Sequence, residues 1–423
     1  MGTMPSRRSF LLSAVSSAAA LSLLAEESHP ALPAAIAALQ PRAHEAIPIT
    51  SAERQSRADR ARMLMLQRKI GALCTTGGSS LRYFTGIESG QSERLFAWVL
   101  PASGAPYIIC PTFEEARMTE QLAAIPDGRQ TRVLTWNEDE DPYLLLTKNL
   151  PAGMLALDER VQFVFADRIA QADPGRKIVS GIPIVSGCRA IKSTAELALM
   201  QLANNITLSV YKAAYLAASP GTSNRQFTEL IALGYARSGV EGEASCEVGP
   251  ASALPHGSLK PQIIREGQVV LIDDGCTVEG YQSDISRAFV YGKAPQPRQD
   301  KQRRIFDLIH RAQSAALAAA HPGAPCEAVD AAARKVINDA GFGPGYRTFL
   351  HRVGHGIGMD GHEWPYLVRG NGQSLEVGMC FSDEPGIYLP GEFGIRLEDD
   401  WYLTPNGGRF FTPQSPSLEQ PFS

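Results

Sequence analysis

The chain has 423 residues, 44% of them hydrophobic, which is long for one core and ample to bury two, so two domains are expected of a globular protein. Forty basic against forty-four acidic side chains leave a formal charge of -4, and no lysine- or arginine-rich run is long enough to track phosphates, which argues against a nucleic-acid partner. Seven scattered cysteines without a CxxC pair read as buried free thiols and exclude a disulfide frame or a zinc ribbon.

From the N-terminus, PSRRSFLLSAVSSAAALSLLA (5–25) sets Arg7-Arg8 before Phe10-Leu11 and an uncharged Ala/Ser run. This resembles a twin-arginine export signal spanning 1–25, which implies a periplasmic address and suits a protein that folds around its cofactor before export. The uncharged run falls short of the ~20 apolar residues of a spanning helix, so no stable membrane anchor is expected. Residues 26–50, rich in Ala and Pro without periodicity, read as a linker. Ser51 to Lys69 reads as a helix, and IGALCTTGG, FAWVL and PYIIC as strands between turn residues, so 51–188 forms a small α/β domain without clustered His, Asp or Glu. A second domain, 196–415, opens on a long helical run (196–218). Helical patterns recur at 223–238, 301–320 and 327–340 between strand-like runs, so the fold class is α+β.

The chemistry lies in this second half. QVVLIDDGCTVEGYQSDISRAFVYG (268–292) reads as a β-hairpin, and a turn centred between Val278 and Glu279 sets Asp273 opposite Asp284, with Cβ atoms about 5 Å apart. Facing like charges imply a cation between them. FSDEPGIYLPGEFGIRLEDDW (381–401) repeats the construction: a turn centred on Gly391 sets Glu384 opposite Glu398. His355, in HRVGHGIGMDGHEWP, adds an imidazole; the glycines there weaken any HExxH-type helix. Four carboxylates and one imidazole suit two divalent ions of the Mn, Fe, Co or Zn kind, whose charge they balance. Arg396 lies two residues before Glu398 and so on the same strand face, where it can bind a substrate carboxylate or balance the acids. Asp274 follows Asp273, and alternation turns it to the opposite face, so it is not counted as a ligand. Cys276 and Cys380, near the acids, are read as structural.

DDGC, SDISR, HRVGHGIG, DEPGIY and GIRLED together resemble the creatinase/aminopeptidase family with the pita-bread fold, which includes Xaa-Pro aminopeptidases and prolidases. The resemblance covers roughly 51–410, because LRYFTGI and RAIKSTAELALM also look like its two-domain members. It implies that Asp284 and Glu398 bridge two ions, most often manganese, that Asp273 serves one, and that His355 and Glu384 serve the other. It implies a substrate pocket at His362, a histidine at the scissile amide in His256, and a tyrosine kept at Tyr388. His351 is left to support or substrate contact. Ser286 stands where threonine is usual. The activity implied is hydrolysis of the bond between an N-terminal residue and proline in a small peptide, with Glu384 taking the proton from water and His256 or His362 assisting at the tetrahedral intermediate or the departing amine. Subunit contact through the first domain, in a homodimer or larger homo-oligomer, is a further implication. Other members of the fold hydrolyse ectoine-type amides, cleave dimethylsulfoniopropionate, or bind partners without catalysis after losing the ligands, and the fold alone does not choose among them.

Overall fold

The computed structural model describes residues 32–125, 128, 131–255 and 257–422. The export signal expected at 1–25 and the histidine at position 256 lie outside the described residues. Among those described, no helix is long and apolar enough to cross a membrane, and all seven cysteines are buried and unpaired. The stretch expected to be a linker is instead docked from its short helix Ala34–Ala37 onward. Ile36 is fully buried there, and the Arg42 N–H donates to the Ser238 carbonyl at 2.8 Å. Ile36 and Leu39 find cover beside the helices Thr194–Ala217 and Asn224–Ser238, which outweighs the absence of a regular pattern.

The first domain starts on the helix Ser51–Gln67, entered through a capping box in which Thr50 and Glu53 satisfy each other's backbone N–H groups. Its sheet holds β1 (Ile70–Thr75), β2 (Ala97–Pro101), β3 (Tyr107–Pro111), β4 (Arg132–Trp136), β5 (Met154–Leu157) and β6 (Ile178–Ser180) in the order β4-β3-β2-β1-β5-β6. The pairings of β1 with β2 and of β2 with β3 are antiparallel, and the rest are parallel.

Two capping boxes, at Ser193/Glu196 and Ser223/Gln226, open the long helices of the second domain. The strands that follow are β7 (Glu241–Gly242), β8 (Ser245–Val248), β9 (Val269–Asp273), β10 (Cys276–Val278), β11 (Tyr281–Gln282) and β12 (Arg287–Val290). After the helices Arg298–Ala319 and Cys326–Ile337 come β13 (Gly354–Gly356), β14 (Glu363–Leu367), β15 (Cys380–Asp383), β16 (Gly386–Leu389), β17 (Phe393–Arg396), β18 (Asp399–Thr404) and β19 (Gly407–Phe410). One sheet runs β12-β9-β8 and another β14-β13-β15-β18-β19. Ile305, Ile309 and Ala316 of the first of those helices pack with Leu271 and Trp401 in one apolar core beneath them.

The first hairpin differs from expectation. Val278 pairs with Tyr281 and Ile272 with Arg287, so the turn lies between Glu279 and Gly280 and the register moves by two residues. Both turn residues have positive φ (50° and 85°), a conformation that glycine accepts and β-branched Val278 resists. Asp273 is therefore level with Ser286, not with Asp284, although a two-residue shift keeps the two acids on one side-chain parity. The second hairpin has the expected register: Asp383 opposite Asp399 and Gly386 opposite Arg396 bracket Glu384 level with Glu398.

Candidate metal centre

Each candidate ligand stands where a strand begins, ends or is centred. Asp273 closes β9, Asp284 lies between β11 and β12, His355 is the middle of β13, Glu384 follows β15 and Glu398 precedes β18. Their donor atoms fall into three overlapping groups, each with all its atoms within 4.8 Å: Asp273, Asp284 and Glu398; His355, Glu384 and Glu398; and Asp284, His355 and His362. Glycines allow this convergence. A Cβ on Gly354 would lie 2.1 Å from the Ser382 carbonyl oxygen, so a larger residue would push β13 away from β15.

The electrostatics show what the cluster lacks. Burial and then the neighbouring carboxylates hold Asp284 and Glu398 well above the usual range, and burial and the Asp273 charge push Glu384 up to about 7. Asp273 goes the other way: burial would raise it, but its ion pair with Arg396 and the Ser286 hydroxyl hold it down. His355 is lowered to about 3 by burial, then by His362, and so is neutral. Its Nδ1 lies 3.2 Å from the Gly356 carbonyl, which fixes the proton there and leaves Nε2 facing Glu384 (3.3 Å) and Asp284 (3.7 Å) as a lone-pair donor. Four carboxylates, two of them paired with the Arg396 guanidinium, and a neutral imidazole turned toward them form a donor set that fits two divalent cations.

Around these residues lies a layer that the sequence left mostly unread. Ser286 Oγ is 2.5 Å from Asp273 Oδ1 and 2.7 Å from Glu398 Oε2, and accepts from Arg396 Nε at 2.8 Å. It has one hydrogen for two carboxylates, so without cations the second contact needs a protonated carboxyl, in keeping with the raised Glu398. Arg396, buried beside Asp273, also donates to the Tyr388 hydroxyl (3.0 Å), which donates to His351 Nε2 (2.7 Å). Of the two roles expected of Arg396, balancing the acids is the one its contacts display. His351 is held near 3 by burial and then by Arg396, so it is a neutral acceptor in this chain. Asp400, raised to about 8 by burial, accepts the Asp284 backbone N–H at 2.9 Å; its only signal in the sequence was a third acid in LEDD.

His362 is exposed, with its ring centroid 3.7 Å from that of His355 and Nδ1 3.3 Å from Arg352 Nη2. The next residue, Glu363, is buried and belongs to a different network. It pairs with Arg189 and, at 3.3 Å, with Lys192 from the RAIKS segment; burial opposes its ionisation, but these cations lower it to about 2. Asp360 joins this network through Arg189 (2.7 Å) and through Ser79 and Arg160 of the first domain (both 2.9 Å), so that domain helps hold the loop carrying His362. Arg352, over the Tyr366 ring at 4.0 Å, was not singled out because no local pattern marks an arginine between two histidines.

Asp274 corrects the alternation argument. Its φ of 86° breaks the pleat, Oδ2 accepts from the Ser245 N–H at 2.9 Å, and the residue lines the same cavity as Asp284. It remains outside the three ligand groups.

A protein with a small α/β domain ahead of an α+β domain carrying a carboxylate–imidazole site belongs to the class of metal-dependent hydrolases. The family is specific: residues 198–405 match metallopeptidase family M24 and residues 57–191 match the creatinase/prolidase N-terminal domain, and the chain belongs to that family. It is therefore a peptidase, with a pita-bread domain as its second half, in a family that depends on divalent metal. Among its relatives are a probable dipeptidase PepE of Mycobacterium tuberculosis, 34% identical over 80% of this chain and 88% of that one, and a Xaa-Pro dipeptidase of Lactobacillus helveticus, 32% identical over 80% and 92%. The crystal structure of dipeptidase PepE from Mycobacterium ulcerans superposes with a TM-score of 0.80 at 32% identity, covering 88% of this chain and 99% of that one.

Proposed function

We propose that this protein is an exported Xaa-Pro dipeptidase, active with two divalent ions, most readily manganese, held by Asp273, Asp284, His355, Glu384 and Glu398. The observation that carries the reading is the convergence of these five residues around overlapping donor groups. Relatives named as dipeptidase and Xaa-Pro dipeptidase support the substrate class. The ions, once held, supply a lowered pKa for bound water and polarisation of the scissile carbonyl. Glu384 then accepts the proton of the attacking water, which suits a carboxyl whose surroundings already favour protonation. His362, exposed over His355, contacts the substrate at the centre, and His256 is assigned to the scissile amide. Arg396, Tyr388 and His351 form a hydrogen-bonded chain that orients Asp273. Among the described residues, Arg352 has no carboxylate in ion-pair contact and stands beside His362, so its guanidinium is available for the terminal carboxylate of a dipeptide.

Export through Arg7-Arg8 fits a peptidase that acquires its ions before crossing the membrane, and recovery of full-length chain from the cytosolic fraction alone would count against it. Exposed Phe163, Val164 and Leu144 on adjacent helices of the first domain support a subunit contact there.

The test is a substrate panel with Mn²⁺-loaded protein: a Xaa-Pro dipeptide, a Xaa-Pro tripeptide, a Met-Ala peptide and a non-peptide amide. Cleavage before proline that disappears with Asp284→Ala is expected, together with a KM for the dipeptide raised roughly tenfold or more by Arg352→Ala. Metal binding without cleavage of any peptide would overturn the reading and move the amidase and lyase alternatives forward.

A further inference from the structure

The metal centre opens on one flank into a cavity of about 470 Å³, a size within the ~300–1,000 Å³ usual for small-ligand sites. Asp284 and His362 belong both to the donor groups and to its walls, so the cavity is continuous with the place where a bound peptide bond would lie. Glu241, Glu243 and Asp274 supply three more carboxylates, and no lysine or arginine is among the described residues that line it.

The backbone is anchored at two of these acids, and the carboxylate of the third is held directly. Glu241 pairs with Thr277 across the β7–β10 ladder, the Glu243 N–H donates to the Gly275 carbonyl at 3.0 Å, and the Ser245 N–H grips the Asp274 carboxylate at 2.9 Å. Three acidic residues around a concave wall that no described lysine or arginine lines give a negative potential that attracts a cation into the hollow. Glu241 and Glu243 are exposed, so neither is required for the core.

Building on the proposed peptidase function, we infer that this cavity receives the N-terminal residue of the substrate and selects a lysine or arginine there. The charges of a Xaa-Pro dipeptide set the direction. Its positive groups, the α-amine and any basic side chain, lie on the acyl side, and its carboxylate lies on the proline side. The acid-lined cavity matches the first and Arg352, which is not part of its wall, matches the second. Aspartate or glutamate at the first position would meet like charge.

The experiment compares kcat/KM for Arg-Pro, Lys-Pro, Leu-Pro and Glu-Pro with the Mn²⁺-loaded full chain and with its Glu241→Gln/Glu243→Gln variant. The basic dipeptides should exceed Leu-Pro by roughly fivefold or more, Glu-Pro should be the poorest, and the ratios should fall toward one in the variant and in high salt. Equal values for Arg-Pro and Leu-Pro, or a preference that survives the double substitution, would overturn the inference. Binding of L-argininamide and L-leucinamide, followed by calorimetry, keeps the two readings apart. If no Xaa-Pro dipeptide is cut, the Xaa-Pro dipeptidase reading fails. The cavity is then judged by whether argininamide binds more tightly and loses that advantage in the variant; equal binding would sink it.

Discussion

Ser286 governs the charge balance of the centre more than its size suggests. Its hydroxyl touches one carboxylate from each hairpin and accepts from Arg396, so it holds Asp273 and Glu398 at a common orientation. Ser286→Ala should weaken metal affinity roughly 10- to 100-fold, the usual cost of losing a group that orients ligands. A titration in a metal-buffered solution checks this, and unaltered affinity would show that the ligands need no such support. The acids themselves could be read in sequence, because each sits in a short motif with turn residues at a fixed offset. Ser286 was visible only as a conserved-size hydroxyl exchange. What it binds depends on β9, β12 and the approach to β18 meeting at one point.

Strand proximity decides where these motifs come together. Gly354 faces Ser382 with no room for a Cβ, and the same strand places His355 against Glu384. Gly354→Ala should therefore destabilise the fold by about 3 kcal/mol and depress metal binding along with it. Urea denaturation of both chains reads the first effect, and a variant with unchanged midpoint would mean that β13 can shift without loss. The two hairpins show how far local reasoning reaches. The second was placed correctly because Gly391 marks its turn. The first was misplaced by two residues because the requirement for positive φ at Glu279-Gly280 outweighed the choice of turn centre. Alternation failed at Asp274 for a related reason: a left-handed residue ends the pleat, and its carboxylate turns toward the cavity.

Across the full chain, folding gathers charge that ions must balance, and the cost should be visible in pH dependence. The Glu384 carboxyl moves from an ordinary 4.5 to about 7 on folding, so its contribution to stability is complete below 4.5 and is lost as pH rises through 7. Asp284 and Glu398 act in the same direction. His351 and His355, lowered from 6.5 to about 3, contribute fully above 6.5 and lose that contribution as pH falls. From pH 6.5 to 8 the loss from the three acids outweighs the small remaining gain from the two histidines, so the metal-free protein should melt a few degrees lower at pH 8. Added Mn²⁺ should raise Tm more at pH 8 than at pH 6.5, since fewer protons must leave for the ions to bind. Thermal melts at both pH values decide it, and equal shifts would contradict the picture of uncompensated buried acids.

Local chemistry was enough to read the two-domain plan, the acid-bearing hairpins, the absence of a helix at the glycine-rich His355 segment and the free thiols, because periodicity and turn residues act over a few positions. Other features depended on segments far apart in the chain. Glu363 finds Arg189 across 174 residues, Arg396 takes Asp273 from the other hairpin as its ion-pair partner, and Ile36 of the apparent linker is covered by helices more than 150 residues away. Those contacts are set by which surfaces packing brings together and by the cost of leaving a buried charge alone, and neither quantity exists until the chain has folded.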